Sequence, residues 1–94
     1  MTTRTTPFDA AEYLADPADH AALLADAFET GDAGNIAHAL GVVARARGMS
    51  QVARDAGVSR EALYKALSPG GDPKLSTLLG VARALGFRLT PAAV

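Results

Sequence analysis

The chain has 94 residues, 49% of them apolar, and a net charge of −1, with a pI near 6.0. A chain of this length can bury a real core as one small domain, yet such a domain is marginal alone and is commonly helped by a partner, so oligomerisation is expected. The absence of cysteine excludes a disulfide framework, a thiolate metal site and a cysteine nucleophile, and leaves the redox compartment unencoded.

No apolar run approaches the roughly 20 residues that span a bilayer, and the opening MTTRTTPFDAAEY lacks the hydrophobic stretch of a signal peptide. The expectation is a cytoplasmic chain without a membrane partner. The near-neutral total hides a split. Residues 1–34 carry one basic residue, Arg4, against seven acidic ones, a net of −6, whereas residues 35–94 carry eight basic against three acidic, a net of +5. Charge asymmetry between halves points to two partners of opposite sign. The second half suits nucleic acid. The first half is either a solvated helix face or a docking surface for a basic protein.

In chain order, residues 1–7 read as a flexible N-terminus. A short helix is predicted near Asp9 to Leu14, with Asp9 as cap, Glu12 as its capping-box partner and Phe8 stapled against Tyr13. Asp16 followed by Pro17 signals a second start, because aspartate accepts from free amides and proline pre-sets the first helical angle. This helix runs to about Thr30, buries Ala21, Leu24, Ala27 and Phe28 with Leu23 flanking, and stops at Gly31. After a turn or cap at 32–35, a third helix begins near Asn35. It aligns Ile36, Leu40 and Val43, with Ala39 and Ala46 beside them, and ends at Gly48 with Arg45 and Arg47 at its dipole-favoured end.

From Met49 to Ser68 the chain reads MSQVARDAGVSREALYKALS, which fits two helices joined by a tight turn at almost every constrained position. Ala53 is the small residue at the crossing, four before Gly57. Gly57 supplies the left-handed turn, after which Val58 points into the core. Ser59 caps the second helix, and Val52, Ala56, Val58, Leu63 and Ala66 fill the inward places. The outward face is Ser59, Arg60, Glu61, Tyr64, Lys65 and Ser68, a stripe of donors, acceptors and cations suited to phosphates and major-groove base edges. Two short amphipathic helices joined through glycine also occur in bundles that never meet DNA. The coincidence of Ala53, Gly57 and Val58 with a face that holds Arg60 and Lys65 favours the DNA reading.

PGGDP then forms a loop, with Asp72 as cap and Pro73 as first residue of a helix over Lys74–Leu85. Its Leu75, Leu78, Leu79, Ala82 and Leu85 make a broad apolar stripe, ended by Gly86. The tail FRLTPAAV alternates Phe87 and Leu89 inward with Arg88 and Thr90 outward, which predicts a short strand stopped by Pro91. A lone strand needs a partner, and the same strand of a second subunit would supply one, making Phe87, Arg88 and Leu89 a dimer contact. The expected architecture is all-α: residues 8–94 form one helical domain of five or six helices, with acidic helices over 8–34, a helix-turn-helix core over 35–86 and a strand and tail over 87–94.

The segments SREALYKALS, GDPKLSTLL and ALGFRL, with the front half beginning around Phe8, resemble the antidote proteins of bacterial addiction modules, a branch of the Xre and lambda-repressor-like helix-turn-helix superfamily. The resemblance covers nearly the whole chain. It implies an antitoxin that binds a small basic RelE-like toxin, a ribosome-dependent mRNA endonuclease, and represses its own operon as a homodimer on a palindromic operator. It places Ser59, Arg60, Glu61, Tyr64 and Lys65 on the recognition helix, with Ser68 on the same outward stripe, and Ser50 and Gln51 at the start of the supporting helix. Here that helix begins about two residues later than in the commoner Xre pattern. Gln51 therefore lies only six residues before Gly57, which argues against a base contact from it. Arg60 or Lys65 can donate to guanine, and Tyr64 can pack on a thymine methyl or donate to phosphate. Glu61 either accepts from cytosine or supports the helix N-terminus, the second being preferred. Toxin contact is assigned to Asp19, Asp26 and Glu29.

An enzyme would need a constellation that the sequence lacks. His20 and His38 are isolated on helices, away from carboxylates at metal-ligand spacing, and PGGDP lacks the lysine and serine of a phosphate-binding loop. No metal, cofactor or catalytic residue is expected. The alternative readings are a stand-alone dimeric repressor without a toxin, and an interaction module that has lost DNA binding.

Overall fold

The computed structural model describes residues 17–94, so the helix expected near Asp9 to Leu14, the cap at Asp16 and the flexible residues 1–7 lie outside the described residues. Five helices follow in order: α1 (Pro17–Glu29), α2 (Ala33–Arg47), α3 (Met49–Ala56), α4 (Arg60–Leu67) and α5 (Leu75–Ala84). α2 is the central element, packing on α1, α3 and α4, while α5 closes the far side of α3. That position explains its burial pattern. Ala37, Ala39, Leu40, Gly41, Val42, Val43 and Ala44 are all buried, wider than one amphipathic stripe, because partners cover α2 on several sides.

α2 begins two residues before the expected Asn35. Asp32 is its cap, accepting from the amides of Gly34 at 2.7 Å and Asn35 at 3.3 Å. Ala46, expected beside the buried face, is exposed.

In α1 the buried face is rotated from the one expected. Leu24 and Ala27 are buried as predicted, but Ala21 is exposed and His20 is 1% exposed. His20, Leu24 and Ala27 share one side of a 3.6-residue helix, with half-buried Leu23 next to them. Arg47 at the end of α2 donates from Nε to His20 Nδ1 at 3.1 Å and from a terminal nitrogen to the carbonyl of Leu85 at 3.2 Å. A buried imidazole is tolerated because it is hydrogen-bonded. One guanidinium thus ties together α1, α2 and the end of α5.

α5 starts at Leu75 with Lys74 in the cap position and no side-chain cap bond. Asp72 and Pro73 therefore belong to the preceding loop, which turns through a bond from the Gly71 amide to the Ser68 carbonyl. Gly71 lies so close to the end of α4 that a Cβ there would stand 2.7 Å from the carbonyl oxygen of Lys65. The loop is thereby held against α4 until the chain can turn into α5. The apolar stripe of α5 is also narrower than expected. Val81, Ala82 and Leu85 are buried and Leu78 half-buried, while Leu75 is 67% and Leu79 43% exposed. In helical projection those two leucines fall beyond the edge of the face that α3 covers.

Residues 87–94 form no strand, and among the described residues there is no strand anywhere. The physical reason is the one that made a lone strand questionable: no second strand lies in the fold to accept its ladder, and Pro91 removes a donor. The alternation itself is present, with Phe87 and Leu89 half-buried and Arg88 and Thr90 exposed. Phe87 packs against the core.

Candidate functional site

α3 and α4 are joined through Gly57, Val58 and Ser59. Gly57 adopts φ 77° and ψ 27°, a left-handed conformation that costs a residue with a Cβ about 1–2 kcal/mol. Its amide donates to Arg54 and that of Val58 to Ala53, at 3.2 and 3.0 Å, closing the helix end with the paired bonds of a Schellman motif. Val58 is thereby turned onto the core. The same device ends α5, where the amides of Gly86 and Phe87 reach the carbonyls of Arg83 and Ala82. Ser59 Oγ then accepts from the Ala62 amide at 3.0 Å and starts α4, as the sequence predicts.

Ala53, Val52 and Leu63 are buried and Ala56, Val58 and Ala66 half-buried. Leu67 and Met49, absent from the expected inward set, are buried as well. α5 approaches α3 closely at Gly80, where a Cβ would stand 2.9 Å from the carbonyl oxygen of Ala56. These contacts fix the roll of α4 and leave Arg60, Glu61, Tyr64 and Lys65 exposed together. Arg60 lies over Tyr64, its guanidinium carbon 5.4 Å from the ring centroid, and donates to the phenol oxygen at 3.3 Å. This pre-orders a long cation at low entropic cost. Lys65 extends from the next part of the same face.

Ser68, expected on the outward stripe, is half-buried and donates to the carbonyl of Lys65 at 2.9 Å, so its proton serves the end of α4. On α3, Ser50 and Gln51 are exposed. Gln51 is engaged within its own helix, accepting from Arg54 at 2.8 Å and donating to Asp55 at 2.9 Å. Arg54, which the sequence reading did not single out, is thereby positioned on the exposed side of α3. Lys74 was also missed; it shares a cleft with Lys65 between α4 and the loop. Both could have been found as exposed cations, Arg54 within the motif and Lys74 just beyond it.

The acidic residues assigned to a second partner, Asp19, Asp26 and Glu29, are exposed on α1. Phe87, Arg88 and Leu89 lie in the tail that runs beside α1 and line a groove with Ala21, Leu24 and Phe28. His38 is exposed and His20 is occupied by Arg47. Among the described residues no three histidine, cysteine, aspartate or glutamate side chains come together to hold a metal ion, and no helix is long and apolar enough to cross a membrane.

The described surface thus exposes the cations Arg60 and Lys65 along α4 and the carboxylates Asp19, Asp26 and Glu29 along α1. The chain belongs to the family described as probable addiction module antidote proteins, whose model matches residues 4–93. An addiction module antidote is the antitoxin of a toxin–antitoxin pair, so a toxin is its general partner. The chain is 44% identical over 88 residues to an uncharacterized protein of Haemophilus influenzae, covering 94% of this chain and 91% of that protein. No solved structure matches it.

Proposed function

We propose that this chain neutralises a co-encoded toxin through the acidic face of α1 and represses its own operon through α4, in the manner of the Xre and lambda-repressor-like regulators that it resembles. The observation that carries the DNA half is the exposed set Arg60, Tyr64 and Lys65 on the second helix of a helix-turn-helix held by Gly57. Among the described residues no carboxylate pairs with those cations. Arg60 and Lys65 supply donors for phosphate or guanine, and Tyr64 supplies a ring for a thymine methyl or a phenol for phosphate. Ser59 and Glu61 sit at the N-terminal end of α4, with Ser50, Gln51 and Ser68 at the margins. A homodimer would set two such helices in successive major grooves of a palindromic operator, about 34 Å apart, with Phe87, Arg88 and Leu89 at or near the contact between subunits.

The toxin half rests on the family and on the separation of charge. A basic RelE-like endonuclease fits a face that carries Asp19, Asp26 and Glu29 and is remote in sequence from the DNA-facing cations. The chain itself acts by binding. The test is anisotropy of a labelled duplex from upstream of its gene, titrated over a salt series. Affinity that falls steeply with salt and is specific for that duplex supports the repressor role. Absence of salt-dependent binding refutes it.

A further inference from the structure

A groove of about 490 Å³ runs between α1 and the C-terminal tail. Leu24, Phe28, Leu40 and Leu89 line it, and Ala21 and Ala25, one helical turn apart, are small enough to let another helix come close. In helical projection Asp19 and Asp26 leave the opposite side of α1. The charged side chain among the described lining residues is therefore a cation, Arg88, and among the described residues no carboxylate pairs with it. An occupant that fits must be apolar on one face and acidic on the other. The opening of the chain has that pattern. Ala10, Tyr13 and Leu14 stand at the spacing of one helical face, with Phe8 before them, and Asp9 and Glu12 fall on the other face. Between Phe8 and Asp16 there are three carboxylates and no cation.

We propose that residues 8–16 of the same chain fold back along α1 into this groove, with Leu14 and Tyr13 near Ala21, Phe8 toward Phe28, and the carboxylates at the rim where Arg88 stands. Length and attachment agree with this. Asp16 is bonded to Pro17, the first residue of α1. A helix over Asp9–Leu14 would be about 9 Å long, and the stretch of α1 from Ala21 to Phe28 is about 10 Å. Ala15 and Asp16 are left for the reversal, and about two residues suffice to join packed antiparallel helices. Tethering and charge select this occupant. A segment joined to α1 by so short a link meets the groove at an effective concentration on the order of millimolar, which a second copy at micromolar concentration does not match. A basic protein would meet Arg88 as a like charge, and nucleic acid, though drawn to Arg88, gains nothing from apolar walls. Neither toxin nor DNA is needed for the contact. It leaves Asp19 and Asp26 open to a second partner, and a subunit contact at the tail would be made over the filled groove.

The absence of native cysteine makes the test clean. Ala25→Cys, Leu89→Cys and, as a control at an exposed position of α5, Ser76→Cys are each labelled with a maleimide in the full chain, with and without the paired substitutions Tyr13→Asp and Leu14→Asp. Those two substitutions fall outside the described core, and circular dichroism checks that the helices are kept. Positions 25 and 89 are expected to react about tenfold or more slowly when Tyr13 and Leu14 are intact, as sites that must open before they react. The slowing should be independent of chain concentration, and position 76 should be unaffected. Equal rates at positions 25 and 89 with and without the aspartates overturn the proposal. So does protection that grows with chain concentration, which would put a second copy in the groove.

Discussion

Arg47 donates from Nε to Nδ1 of the buried His20 at 3.1 Å, joining the end of α2 to the first turns of α1. Because Nδ1 accepts, the ring carries its proton on Nε2. The same guanidinium reaches the carbonyl of Leu85 at 3.2 Å. The side that bears the acidic residues is thus tied to the helix that packs against α3. An arginine at the end of a helix would ordinarily be assigned to the dipole; here its geometry serves tertiary structure.

Arg47→Ala is therefore expected to destabilise the fold by about 2 kcal/mol, through loss of a charge-assisted bond and exposure of a buried acceptor. For a chain of this size that lowers Tm by about 8–16 °C. Arg47→Lys should recover little, because an ammonium lacks the planar fork that meets both acceptors. Thermal unfolding followed by circular dichroism measures the difference, and an unchanged Tm for Arg47→Ala would remove the network from the account.

Gly57 sits at φ 77°. Gly57→Ala is expected to cost about 1–2 kcal/mol, and Gly57→Asn less, since asparagine enters the left-handed region more readily. Urea titrations of the two variants should give that order. Equal, negligible losses would mean that the turn does not need its glycine.

Lys65→Ala tests the cationic face of α4. If Lys65 holds a phosphate, affinity falls for every duplex and the slope of log K against log salt shrinks by about 0.9 for each phosphate no longer neutralised. A loss confined to one base position would make Lys65 a reader of sequence instead. Either outcome places it on DNA, and an unchanged affinity and slope would take it off.

Replacing Asp19, Asp26 and Glu29 together by alanine should slow association with the toxin and weaken the complex, most clearly at low salt. DNA affinity and Tm should change little, because all three side chains are exposed on α1. Surface plasmon resonance against the purified toxin gives the rates, and an unaltered association rate would show that the toxin binds elsewhere.

The helix-turn-helix was legible because its constraints are local. Gly57, Val58, Ser59 and the inward Leu63 of α4 follow from turn chemistry and a 3.6-residue period, and the structure has them as expected, while the buried Leu67 was missed. His20 was missed because the reading of α1 counted apolar residues alone, which displaced the buried face toward Ala21. Its spacing to Leu24 and Ala27 was the available signal. The pairing with Arg47, 27 residues away, depends on how α1 lies on α2 and leaves no mark in local pattern. Leu75 and Leu79 were placed inside because leucine at helical spacing looks buried; only the breadth of the face covered by α3 shows where burial ends. Asp72 and Pro73 carry good start signals, but the close approach of Gly71 to α4 delays the turn into α5. In the tail the inward and outward alternation was correct, while hydrogen-bonded strand structure required a partner strand that alternation cannot supply.

The most direct measurement is co-expression of this chain with the product of the adjoining small reading frame, followed by purification on one tag and light scattering of the eluate. The expected result is a stable complex of defined mass from which denaturation releases a growth-arresting partner. Recovery of the chain alone, still binding the DNA upstream of its own gene, would contradict the antitoxin assignment and leave a stand-alone repressor.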